Sequence, residues 1–223
     1  MAVATAQSPA PLPEQAPVHP RLSVGMMGMY IFLASEVMFF GTLFAGYFYL
    51  LTSHSPWPPE GSNPVSWWPI PMINSVLLFG SGATCHVAHL AIQRGNRPRF
   101  FWWMLLTIVL GFGFEVGQAY EFIEKLAPSW IGLGGEGAMA FNANPFATAF
   151  FTMTGFHGLH VLGGLVILCI LLWRFNKGQF SPRHHVGVAA GVIYWHFVDL
   201  VWLFLLIVLY FGVTFPTYKP AGG

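Results

Sequence analysis

Six side chains able to carry a proton or hold a ligand stand inside long apolar runs: Glu36, Glu115, His157, His160, His196 and Asp199. Hydrocarbon offers no water to solvate such groups. An intramembrane carboxyl or imidazole is therefore costly and points to function unless a partner accounts for it. His157 and His160 are three residues apart, as are His196 and Asp199, and at that spacing two side chains share a helix face. Gln118 and Glu121 repeat the interval on another run. Paired imidazoles can share a metal, which brings His86 and His89 into the same comparison. Four chemistries fit: hydrogen bonds that tie helices together, proton transfer along Asp, Glu and His side chains, metal or haem ligation, and lipid-headgroup contact at the basic ends of the runs. No cysteine completes a ligand set with either histidine pair, so ligation has the least support.

Composition fixes the elements that must position these groups. Of 223 residues, 55% are hydrophobic and 8% charged, where soluble domains carry about 25% charged residues. Mean hydropathy is +0.61. A net charge of +1 gives no footprint for nucleic acid. Cys85 and Cys169 both fall in apolar runs and read as small buried hydrophobes, not as a disulfide framework. Residues 1–23 form an Ala/Pro-rich tail without the basic-then-apolar order of a signal peptide. Five apolar stretches follow, at about 24–51, 70–93, 100–123, 145–173 and 186–213, each long enough to cross a bilayer as a helix. The predicted fold is all-α: a polytopic membrane bundle of five transmembrane helices, closed by a short outer tail at 214–223. Gly113 with Gly117, and Gly187 with Gly191, are small residues four apart that predict close helix approach. The glycine-rich loop 127–144 reads as irregular outer surface.

Charge asymmetry sets the expected orientation. With the N-terminus inside, the inner segments hold Arg21, Arg94, Arg97, Arg99, Arg174, Lys177 and Arg183, while the outer ones hold only Lys125 and Lys219. That bias places the N-terminus in the cytoplasm and the C-terminus outside. Trp57, Trp67 and Trp68 on one side, and Trp102, Trp103 and Trp173 on the other, fit interfacial belts. Glu36 and His157 each lie 12 residues into their runs, roughly 18 Å at 1.5 Å per residue. His196 and Asp199 lie 10 and 13 residues into the last run. Glu36, His157, His160, His196 and Asp199 are therefore expected to share one mid-membrane polar layer, and Gln118 and Glu121 a polar face nearer the outer side. No arginine or lysine lies in that layer, so Glu36 is expected to be mostly protonated and hydrogen-bonded within the bundle or to lipid, with His157, His160 and His196 the only candidates for an ionic partner.

Four strings go beyond spacing: Ser35-Glu36-Val37-Met38-Phe39-Phe40; Gln118-Ala119-Tyr120-Glu121-Phe122; Gly155-Phe156-His157-Gly158-Leu159-His160-Val161; and Tyr194-Trp195-His196-Phe197-Val198-Asp199 running on to Val201-Trp202-Leu203-Phe204. In this order, with His184-His185 before the last helix, the chain over residues 25–212 closely resembles the cytochrome c oxidase subunit III family of haem-copper terminal oxidases. The resemblance implies a non-catalytic subunit that binds no redox centre or metal. It packs against subunits I and II, which carry the haems and copper, holds phospholipid, and supports turnover and proton uptake. Arg94, Arg97, Arg99, Arg174 and Arg183 become candidate headgroup contacts. The donor to the complex would be cytochrome c, or quinol, and Glu in place of Asp at position 36 favours cytochrome c. Full-length members have seven helices. The five seen here resemble the bacterial form, located in the plasma membrane, in which an extended subunit I supplies the missing wall. Glu115 departs from the family pattern and inherits no role. The alternatives are the equivalent subunit of a quinol oxidase or nitric-oxide reductase complex, and an independent proton-coupled membrane protein.

Overall fold

The computed structural model describes residues 23–54, 57–59, 68–126, 141, 143–182 and 184–212. The expected tails, most of the 127–144 loop, Trp67 and Arg183 lie outside them. Among the described residues every element is helical apart from one bridge between Ser181 and His184. The helices are α1 (Val24–Ser53), α2 (Ile70–Gln93), α3 (Arg97–Leu126), α4 (Pro145–Asn176) and α5 (Val186–Leu205). A π-helical segment, Leu206–Phe211, continues α5. All five are long and apolar enough to span a bilayer.

Local chemistry explains the boundaries. The Ser23 hydroxyl accepts from the Met26 amide at 3.3 Å to start α1. The Asn144 side chain accepts from the Ala147 amide at 2.8 Å, and Pro145 sits where its missing N–H costs nothing. Gly95 and Gly178, at φ +71° and +76°, follow the ends of α2 and α4, a conformation with no penalty for glycine.

α2 and α3 form the most extensively packed pair, and α5 packs on α2, α4 and α1. Trp195 fixes the centre of the bundle. Its indole is fully buried between Gly111 of α3 and Gly164 of α4, where an added methyl on either glycine would stand 2.8 Å from the ring. Its Nε1–H donates to Ser81 Oγ at 2.9 Å, and Trp202 repeats the device one layer further on, donating to Ser75 Oγ at 2.9 Å. Of the two predicted glycine pairs, Gly117 closes on the Asn74 side chain, and an added methyl on Gly191 would stand 2.6 Å from Leu171. Gly113 and Gly187 have ordinary room. α1 is peripheral: it buries only Phe40 and Tyr47 and packs on α4 and α5. Cys85 is buried as expected, but Cys169 is exposed, lining an open apolar groove between α3 and α4 with Ile108, Phe112 and Leu165.

Candidate functional site

The expected polar layer resolves into separate sites, set by which way each helix face turns. Glu36 of α1 meets His160 of α4, with Oε2 2.9 Å from Nε2. His160 Nδ1 lies 2.6 Å from the Phe156 carbonyl, which can only accept. Nδ1 therefore carries a hydrogen, and the Glu36–Nε2 contact holds one further proton between carboxyl and ring. Phe39 stacks on the imidazole at 6.0 Å and Phe40 meets it edge-on at 4.9 Å, so aromatic rings shield the pair. The His160 carbonyl accepts from the Tyr194 hydroxyl at 2.9 Å, which brings α5 to the same place.

His157 does not join this pair. It is fully buried, stacked on Trp202 at 5.1 Å with Phe114 edge-on at 5.8 Å, and neither ring nitrogen has a hydrogen-bond partner. A three-residue step turns a helix by about 60° short of a full circle. On α4 that is enough to aim His160 at α1 and His157 at α3 and α5.

His196 and Asp199 do share a face, with Nδ1 3.6 Å from Oδ2. That face looks toward α2, where the Asp199 carboxyl presses on Gly82 and leaves no room for a side chain there. Near the other end, Gln118 Nε2 donates to the Thr154 carbonyl at 2.6 Å. The buried Glu121 accepts from the Tyr210 hydroxyl at 3.1 and 3.2 Å and has Lys125 at 3.6 Å. Sequence reasoning did not name Tyr210, Ser75, Ser81 or Thr154. Only Tyr210 left a signal, being a hydroxyl at the same depth as Glu121 from the outer end. Glu115 lies half-buried in a groove of about 330 Å³ between α3 and α4, lined also by Gln118, Gly155 and Leu159.

The basic ends divide. Arg97 donates to the Phe175 carbonyl at 3.2 Å and lies over that ring at 4.5 Å. Arg174 Nε donates to Gln179 Oε1 at 2.7 Å and covers Phe180. Arg94 and Arg99 are exposed.

This geometry is that of helix ties built from intramembrane polar side chains, and it sits on the strings singled out above. Residues 17–213 match the family model described as cytochrome c oxidase subunit III. The chain belongs to the cytochrome c oxidase subunit III family. It is 36% identical over 198 residues to the cytochrome c oxidase subunit 3 of Thermostichus vulcanus, a match covering 88% of this chain and 90% of that one. With the Aedes aegypti protein of the same name it shares 40% over 190 residues, covering 82% and 67%. With that of Neurospora crassa the figure is 35% over 190 residues, covering 83% and 66%. The chain thus spans about two thirds of the length of the insect and fungal relatives. Family membership makes this a subunit III of a haem-copper oxidase, a multi-pass membrane protein that associates with other oxidase subunits.

Proposed function

We propose that this subunit III is a non-catalytic member of an aerobic terminal oxidase that reduces oxygen to water and pumps protons, with cytochrome c as the electron donor to the complex. Haem and copper belong to subunits I and II, and this chain stabilises subunit I and supports proton uptake. The observation that carries the reading is the use of the polar layer as helix ties. Glu36 holds His160, Gln118 holds Thr154, Glu121 holds Tyr210, and two tryptophans hold serines of α2. Such ties fix a scaffold, and intramembrane polar contacts of this kind stabilise helix packing by about 0.6 kcal/mol each on average. The exposed Arg94 and Arg99 supply charge for phospholipid headgroups. The basic asymmetry supports a cytoplasmic N-terminus in a bacterial plasma membrane.

Purification in mild detergent tests this directly. The chain is expected to co-purify with a haem-bearing subunit that reduces oxygen. Expressed alone, it is expected to show no Soret band and no bound copper. Stoichiometric haem on the lone chain would sink the proposal.

A further inference from the structure

Four histidines and an aspartate form a ladder along the α2–α5 edge that the ties above leave without a role. The His89 and His185 rings are 5.8 Å apart between centroids, and the His86 and His196 rings are 6.2 Å apart. His86 and His89 are one turn apart on α2. His196 Nδ1 then reaches Asp199 Oδ2 at 3.6 Å. The series descends through the membrane. His185 caps the start of α5, while His196 and Asp199 are 10 and 13 residues inside it, a depth of about 15–20 Å. Its mouth is at the basic end of the bundle, where α2 ends at Arg94.

The rings are placed for exchange. Among the described residues none of the four donates to a backbone carbonyl, unlike His160. The one hydrogen bond to His89 comes from the Gln93 side chain at 3.2 Å. His185 Nδ1 and Asp199 Oδ1 are buried without partners at the two ends of the series. His86 is exposed and the His196 side chain is 41% exposed, so the ladder lies at a surface another subunit can cover. Ring centroids about 6 Å apart leave gaps that a single water bridges. An imidazole accepts a proton at one nitrogen and releases one from the other, so passage makes and breaks only N–H and O–H bonds.

We propose that the α2–α5 edge is a proton path, running from the aqueous side at His185 through His89, His86 and His196 to Asp199, and serving the oxidase subunit that covers it. Its use by an oxidase rests on the function proposed above; the path itself rests on the ladder.

The test uses the whole complex in phosphatidylcholine vesicles, with proton uptake followed by a pH dye during a turnover pulse. His86→Gln and His196→Gln keep the size and hydrogen bonding of the ring but cannot cycle a proton. Each is expected to slow uptake about 10-fold or more, with the double variant at most about two-fold slower than the slower single one, because steps in series add their resistances and do not multiply them. Imidazole added to the medium is expected to restore part of the rate to His86→Gln, and Glu115→Gln, away from the ladder, to leave the rate unchanged. Wild-type uptake in assembled His86→Gln and His196→Gln complexes would overturn the path. So would slow uptake in the corresponding Leu variants that Gln fully restores, since that marks a structural role. A wild-type complex that consumes no oxygen would overturn the oxidase function alone. The path would then be read from the rate of deuterium uptake at Asp199 by infrared spectroscopy, slowed in His86→Gln if the ladder feeds it and unchanged if it does not.

Discussion

At the scale of single residues, the Glu36–His160 contact makes the sharpest prediction. Because Nδ1 is committed to the Phe156 carbonyl, Nε2 needs a partner from α1. In Glu36→Gln the amide can donate to Nε2, so the complex is expected to assemble with an unchanged haem spectrum and at most modestly altered turnover. His160→Leu instead strands the Glu36 carboxyl, and a buried polar group left alone costs about 1–3 kcal/mol. Thermal unfolding of the purified complex checks both, and equal loss in the two variants would refute the asymmetry. The sequence made Glu36 legible as a carboxyl with His157, His160 and His196 as its candidate partners, but not which of them it meets. His157 and His160 sit in one string at one depth, and only the direction α4 presents to its neighbours separates them. Sequence holds that direction weakly, since both flanks of the string are apolar.

At the scale of elements, close approach decides what can be changed. A methyl on Gly111 or Gly164 would meet the Trp195 indole, which cannot move without losing Ser81. Gly111→Ala or Gly164→Ala is expected to destabilise the bundle by about 1–3 kcal/mol. Gly46→Ala on α1 meets nothing and is expected to be neutral or slightly stabilising. Loss of helical circular dichroism on heating ranks the three, and a Gly46 variant as damaged as Gly111→Ala would contradict the packing account. The spans themselves were legible. The apolar runs alone mark five spans, and five helices long and apolar enough to cross a bilayer are found. The π segment at Leu206–Phe211 was not, because its residues are ordinary apolar ones. Near the end of the last helix, where carbonyls lack intrahelical partners, the Val208 carbonyl accepts from the Tyr47 hydroxyl at 3.3 Å. Spacing rules cannot foresee such long-range pairing.

For the whole molecule, orientation is the testable property. Cysteine introduced at Ser62 or Asn96, with Cys85 and Cys169 replaced, is expected to react with an impermeant reagent from outside at position 62 and not at 96. The reverse pattern would place the basic ends, and the mouth of the histidine ladder, on the outer side. Family membership was legible because the four strings fall at helix contacts: Trp195, His160, Glu121 and Glu36 each touch another helix. The lipid-facing residues between them carry no such constraint and read only as apolar.

The peripheral place of α1 has a consequence for how the chain is made. α1 leaves the ribosome first of the five helices, yet its partners are the last two. Glu36 is separated from His160 by 124 residues and Tyr47 from Val208 by 161. At about 5–20 residues per second, roughly 6–25 s pass between the synthesis of the acid and that of its imidazole. Throughout that interval Glu36 has no His160 to meet, and α1 gains its contacts with α4 and α5 only once translation has delivered them. A chain stopped before residue 160 therefore leaves Glu36 without its histidine, an early mark by which an incomplete subunit differs from a finished one.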